Sequence, residues 1–281
     1  MTLRRLYRLV RHQPLGAAAG LLLLVMALVA LLAPAVSPYD PLVQDGRAQL
    51  APPSAAHLFG TDYLGRDVLS RVIWGARVSL GISFAAVALG TVLGVAVGLF
   101  SGYVGGWWDL AIQRMMDIVM AVPGIVLALA LVAILGTSAW NVILVIAVVM
   151  VPGMSRVVRS AVLQVRQLLY VEAAQALGLP DRRIALRHVL PNVVAPILVM
   201  ATTTLGNAVL IEASLSFLGA GPPPPAPTWG GMLSGEARTW FERAHWMAIY
   251  PGLALTLTVI AFNAFGDMLR DTLDPKMRGR G

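Results

Sequence analysis

The sequence contains no cysteine, which excludes disulfide staples and thiolate metal centres alike. Lysine is almost missing. Lys276 is the only one and Met277 follows it, so the GxxxxGK[ST] loop that cradles nucleotide phosphates has nowhere to form. The four histidines, His12, His57, His188 and His245, are scattered and no HExxH occurs, so neither a metal centre nor a protease site is expected. The chain is accordingly read as a non-enzyme that binds no cofactor itself. Charge of either sign is scarce as well: 12% of the 281 residues are charged, against roughly 25% in an ordinary soluble domain. With 58% hydrophobic residues and a mean hydropathy of +0.76, this is a membrane composition.

Charge-free runs locate the spans, because a charged side chain at the bilayer centre costs roughly 2.5–3.5 kcal/mol. They lie at His12–Tyr39, Val78–Trp108, Ile118–Ser155, His188–Ile211 and Ala244–Gly266. A crossing takes about 20 residues, so Ile118–Ser155 holds two, with Gly136–Asn141 as the turn. About six transmembrane helices are predicted. A further run, Ala213–Gly235, is rejected as a span, because it contains GAGPPPPAPT and no helix survives four consecutive prolines. It is expected to be an extracytoplasmic loop.

The basic residues set the orientation. They cluster at Arg4–Arg11, at Arg156–Arg187 and at Arg270–Arg280, which six crossings place on one side, the cytoplasmic one by the positive-inside rule. Charges in the loops on the opposite side balance to zero. The net +7 is thus a topology signal, suits contact with anionic lipid, and is no argument for nucleic acid. Ala33-Pro34-Ala35 resembles a signal cleavage site, but the apolar stretch before it exceeds the roughly 7–15 residues of such signals, so it is read as a retained helix. The predicted organisation is a cytoplasmic tail at 1–13, a first transmembrane helix at 14–36, an extracytoplasmic loop with an interfacial helix at 37–76, a permease core at 77–270 and a second cytoplasmic tail at 271–281.

One polar interruption stands out, Tyr170–Asn192, YVEAAQALGLPDRRIALRHVLPN. Val171–Leu177 is a good helix former, and Gly178 stops it as glycine does beyond a helix C-cap. Leu179-Pro180-Asp181 then supplies a turn with Asp181 as N-cap candidate, so Arg182–Val189 is a second short helix ending before Pro191. The product is a helix-turn-helix knob. Its Ala-rich face suits close docking into a groove on another protein, with Glu172 placed to meet an arginine there.

Elsewhere, Asp67 and Arg71 are four apart and predict a helix-surface pair on an amphipathic interfacial helix over His57–Leu80. Gly90, Gly94 and Gly98 form a small-residue stripe that permits close packing. Arg114 and Asp117 are expected to pair with each other or a neighbouring loop, and Pro123, Pro152 and Pro196 to kink their spans. Glu212 abuts the end of a charge-free run; about 21 residues beyond Pro191, or about 30 Å of rise, it is placed at the outer edge within reach of water, as a gate or packing residue. Trp229 lies in the loop at 219–246.

The knob resembles the EAA loop of ABC importer permeases: Glu172, Ala173, Ala174, Gly178, Leu190 and Pro191 fall at that family's spacing. His188 stands where the family often has isoleucine, although RHVLPN is a familiar form in its peptide and nickel branch. Phe59–Leu80, FGTDYLGRDVLSRVIWGARVSL, resembles a phrase of the same branch, as do Glu212–Gly219, Trp229-Gly230 and LRDTLDPK, so the likeness runs from His57 to Lys276.

The resemblance implies a type I ABC importer permease fold in the cell inner membrane, all-α, with the knob as cytoplasmic coupling element between helices four and five. It implies a homologous second permease, two ATP-binding subunits that carry ATP and magnesium, and an extracytoplasmic substrate-binding protein. Glu172, Ala173 and Gly178 would transmit force, and the loop with Glu212 and Trp229 would lie near the docked binding protein. Dipeptides, oligopeptides, glutathione-like molecules and nickel chelates all remain open as substrates. An ion-coupled secondary transporter is the main rival, but it usually carries ionisable groups near the midplane, and these spans have none. A membrane scaffold has no need of a docking knob.

Overall fold

The computed structural model describes residues 13–273; the basic tail residues Arg4, Arg5, Arg8, Arg11, Lys276, Arg278 and Arg280 lie outside the described residues. Five helices among the described residues are long and apolar enough to cross a membrane, and a bent pair taken as one span makes a sixth. That matches the expected count.

Helix α1, Pro14–Leu31, opens on a proline, whose missing N–H is no loss in the first turn. One further turn, α2 at Ala33–Val36, continues it. The connection that follows has no helix, but it is tied down: Thr61 N–H donates to Ala51 O at 3.0 Å and Trp246 Nε1 donates to Thr61 O at 3.0 Å.

The second span differs from expectation. No separate interfacial helix forms over His57–Leu80; α3 runs unbroken from Val68 to Val104. Its 37 residues rise about 55 Å, well beyond a hydrocarbon core of about 30 Å, so the amphipathic turns are the protruding end of the span itself. Nor does Asp67 pair with Arg71. Asp67 is the N-cap, accepting from Ser70 N at 2.8 Å and Ser70 Oγ at 2.7 Å on Oδ2, with His57 Nδ1 2.9 Å from Oδ1. Capping the free N–H groups of the first turn draws that carboxylate across the helix start, and Arg71 turns to Asp62 and to Pro41 O instead.

The third span is broken. Helix α4, Gly106–Ala121, and α5, Gly124–Leu135, meet at Val122-Pro123 with their axes 91° apart. Pro123 lacks the N–H that would carry the helix through. The α5 piece is only about 18 Å long and completes a crossing only together with its partner. Gly136 ends it and Ser138 caps the next helix, α6 at Ala139–Arg166, by accepting from Asn141 N at 3.1 Å. The turn stands where the sequence places it. Pro152 lies inside α6, whereas Pro196 falls in the first turn of α9, Val194–Phe217, just past a 3-10 turn.

The small-residue stripe is the seam between α3 and α6. A Cβ on Gly94 would come within 2.6 Å of Met154 Cβ, and one on Gly98 would overlap Ser155 O, so bulk at either position forces the backbones apart. The last span, α11 at Trp246–Leu273, packs on α1 and α9. Buried clusters join α3, α6 and α9 along their length.

Candidate functional site

Two ends of the bundle carry the candidate residues: the knob at one end and the proline-rich loop at the other. Helix α7, Leu169–Ala176, forms the front of the knob. It ends in a Schellman turn, with Gly178 N–H donating to Gln175 O at 2.9 Å and Leu179 N–H to Ala174 O at 3.2 Å. Gly178 has φ +71°, and a Cβ there would meet nothing within 4 Å. Its requirement is therefore conformational, since open space surrounds it.

The turn sorts the expected residues. Val171 and Ala174 are buried and join a cluster with Ile184, Ala185 and Val189, so Ala174 anchors the knob. Glu172, Ala173 and Gly178 are exposed. Leu169 and Leu177 flank them at 82% and 80% exposure, and residues 169, 173, 176 and 177 share one helical face. These exposed leucines around small residues leave an apolar patch uncovered on the projection.

The second half of the knob is not a free short helix. Helix α8, Asp181–Ile184, runs through a π turn at Ala185–Val189 and a 3-10 turn at Leu190–Val193 directly into α9. Pro191 cannot supply an α-helical N–H, and the wider and tighter turns absorb that defect. The carbonyl of His188 accepts from Asn192 Nδ2 at 2.7 Å and Tyr170 Oη at 3.3 Å, so at His188 it is the backbone that binds. Asp181 is not the N-cap either; Pro180 holds that position and Asp181 is the first residue. Its carboxylate accepts from Tyr103 Oη at 2.9 Å, while the Arg166 guanidinium lies 5.7 Å over the Tyr103 ring. Leu190 is half-buried and Pro191 exposed.

Sequence reasoning missed a clamp beside the knob. Arg159 grips Asp109 in bidentate fashion, Nε at 2.6 Å and Nη2 at 2.5 Å, and Ser101 also donates to Asp109. This joins α3, α4 and α6. The available signal was that Asp109 closes one apolar run and Arg159 lies just past another, at the same depth. Asp117 pairs with Arg114, as expected, and also with Arg156.

At the opposite end, α10, Trp229–Leu233, is pinned onto α3. Trp229 N–H donates to Ser79 Oγ at 3.2 Å and its Nε1 to Val72 O at 3.0 Å, and Gly230 lies so close to Ala213 that a Cβ would overlap its carbonyl. Glu212 lies beneath this helix and is fully buried. The expectation that water reaches it is overturned, because the returning loop covers the end of the span. Ser216 Oγ donates to Glu212 Oε1 at 2.8 Å, and Oε2 has no partner among the described residues. Glu212 and Trp229 are thus brought together as a packed seat for the loop.

Comparison with known proteins shows the family and the fold. Residues 94–279 match the family described as binding-protein-dependent transport system inner membrane component, and residues 3–53 match the N-terminal TM domain of oligopeptide transport permease C. A dipeptide transport system permease protein of Alkalihalophilus pseudofirmus is 42% identical over 275 residues, covering 98% of this chain and 90% of that protein. A glutathione transport system permease protein of Escherichia coli is 43% identical over 274 residues, covering 97% and 90%. Among solved structures, the inward-facing MetNI methionine ABC transporter superposes with a TM-score of 0.59 at 20% identity, covering 74% of this chain and 96% of that one. That likeness concerns the fold alone.

Proposed function

The chain belongs to the family of binding-protein-dependent transport system inner membrane components, a multi-pass membrane protein and a transport permease, and from that premise we propose that it carries short peptides across the membrane by coupling to partner ATPases. The observation that carries the proposal is the knob. Glu172, Ala173 and Gly178 form its exposed face, while Ala174 and Val171 root it in the cluster shared by α6 and α9. A motor subunit that displaces the exposed face displaces the two spans on either side of it, because buried packing does not stretch.

In this reading ATP and magnesium sit on two partner ATP-binding subunits, a homologous second permease completes the pathway, and an extracytoplasmic binding protein delivers the substrate to the end that carries Trp229. The knob and both chain termini then face the cytoplasm. ATPase closure pushes the knob, and α6 and α9 switch the shared cavity between its two accesses. Leu190 and Pro191 form the junction through which α9 is driven.

The relatives named for dipeptide and for glutathione transport have almost equal identity to this chain, so glutathione is a second reading of the same machinery. Reconstituting the chain with its partners, and measuring ATP hydrolysis stimulated by binding protein loaded with dipeptide, glutathione or a nickel chelate, tests the proposal. Stimulation by dipeptide is expected. Uptake that collapses with the proton gradient while ATP remains overturns it, as does labelling that places Glu172 on the outer face.

A further inference from the structure

At the end that carries the loop, a cavity of about 480 Å³ opens between the start of α3 and the proline segment, with Asp62, Arg66, Arg71, Ser216, Thr228 and Pro222–Pro225 among its lining. Its volume lies in the small-molecule range of about 300–1,000 Å³. Two arginines share it and both are more than nine-tenths buried, each with 8% of its surface exposed.

Their arrangement is unbalanced. Asp62 Oδ2 accepts from Arg66 Nε at 2.6 Å and lies 3.6 Å from Arg71 Nε, so two guanidinium groups converge on one carboxylate oxygen. The other oxygen, Oδ1, is taken by the backbone N–H groups of Leu64 at 2.9 Å and Arg66 at 3.0 Å. The neighbouring carboxylate, Asp67, is committed to Ser70 and His57. Among the described lining residues, one negative charge therefore faces two positive ones whose side chains are largely buried, where like charges repel more than at an open surface.

The free edges of the two arginines point to what is missing. Arg66 is fixed through Nε and by the Tyr63 ring, 5.5 Å from its guanidinium carbon. Its two terminal nitrogens have no hydrogen-bond partner among the described residues. Arg71 uses Nη1 for the carbonyl of Pro41 at 3.2 Å, and its Nη2 has no such partner. Planar donor forks of this kind match a carboxylate or a phosphate. The excess is one charge, which a monoanion neutralises and a dianion overshoots, and the cavity is roomier than an inorganic ion requires.

We propose that this cavity is a binding site for the terminal carboxylate of a short peptide, held by the terminal nitrogens of Arg66 and Arg71. The site lies within a single permease, walled by the proline segment. It deepens the transport reading and rests on it for the identity of the ligand.

The test is equilibrium binding to the full-length chain in complex with its partner permease in nanodiscs, without binding protein or nucleotide. L-alanyl-L-alanine is expected to bind, and its C-terminal amide to bind about tenfold more weakly or worse, because the amide forfeits a charge-assisted bidentate contact. Arg66→Gln should abolish the preference for the acid, while Arg66→Lys, which keeps the charge without the fork, should retain part of it. Equal binding of acid and amide, no binding of the acid, tighter binding of inorganic phosphate, or an unchanged preference in Arg66→Gln each overturns the site. The comparison of acid with amide needs no substitution, so a variant that does not fold leaves the test intact. Acid-selective binding in a chain that supports no ATP-driven peptide uptake sinks the transport reading and upholds the site; normal uptake with no acid preference does the reverse.

Discussion

The hydroxyl of Tyr103 at the end of α3 donates to the carboxylate of Asp181 at the start of α8, 2.9 Å away and 78 residues along the chain. It ties the knob to a span that is adjacent to it in space and remote in sequence. Tyr103 is buried, and Arg166 lies over its ring. Tyr103→Phe removes this bond, worth about 1 kcal/mol, and keeps the packing. The expected outcome is normal membrane insertion and normal basal ATP hydrolysis in the assembled importer, with severalfold fewer substrate molecules taken up per ATP. A ratio equal to that of the unmodified protein would show that the tie does not position the knob.

Gly178 separates conformational from steric demands. Gly178→Ala meets no atom but forces an L-residue to φ +71°, a cost of about 1–2 kcal/mol. The melting temperature should fall while some coupling survives. Gly178→Trp adds bulk to the exposed face as well, and ATP hydrolysis should then continue without uptake. Uptake at the normal rate in the Trp variant contradicts the assignment of that face.

The seam between α3 and α6 predicts opposite results for two glycines in one helix. Gly98→Leu drives a side chain into Ser155 and Val158, and overpacking of this kind costs about 1–3 kcal/mol or more. A methyl group added at Gly81 would meet nothing within 4 Å, so Gly81→Ala should be neutral or raise stability by up to about 1 kcal/mol through helix propensity. Thermal unfolding in detergent reads both, and equal shifts would refute the seam.

Asp109 and Arg159 form a partly buried pair, with side-chain exposures of 15% and 31%. Asp109→Ala, Arg159→Ala and the double variant should give a coupling energy of about 0.5–3 kcal/mol, the double variant costing less than the two single changes together. Strict additivity in an unfolding assay would mean that the clamp contributes nothing across α4 and α6.

The broken third span and the buried Glu212 mark where local pattern stops being informative. Gly136–Asn141 is readable as a turn and Gly178 as a helix stop because both signals are local: a glycine with positive φ and a Ser138 cap need only their neighbours. Pro123 is readable as a disruption, but the 91° bend is not, since a missing N–H permits a range of angles and packing on α3 and α6 selects one. Asp67 and Arg71 stand at ion-pair spacing, yet their partners come from the helix start and from Asp62 on the preceding loop. The choice among several partners belongs to the fold.

By itself the sequence determined the membrane setting, the number of crossings, the knob and its glycine stop, because the cost of burying charge and the φ preferences of glycine and proline act over a few residues. Only the tertiary structure decided that Glu212 lies dry beneath Trp229, that Ala174 faces inward while Ala173 faces out, and that Arg66 and Arg71 converge on one aspartate. Those arrangements depend on segments that return from far along the chain to cover a span end or share a counterion, and local pattern carries no record of where they land.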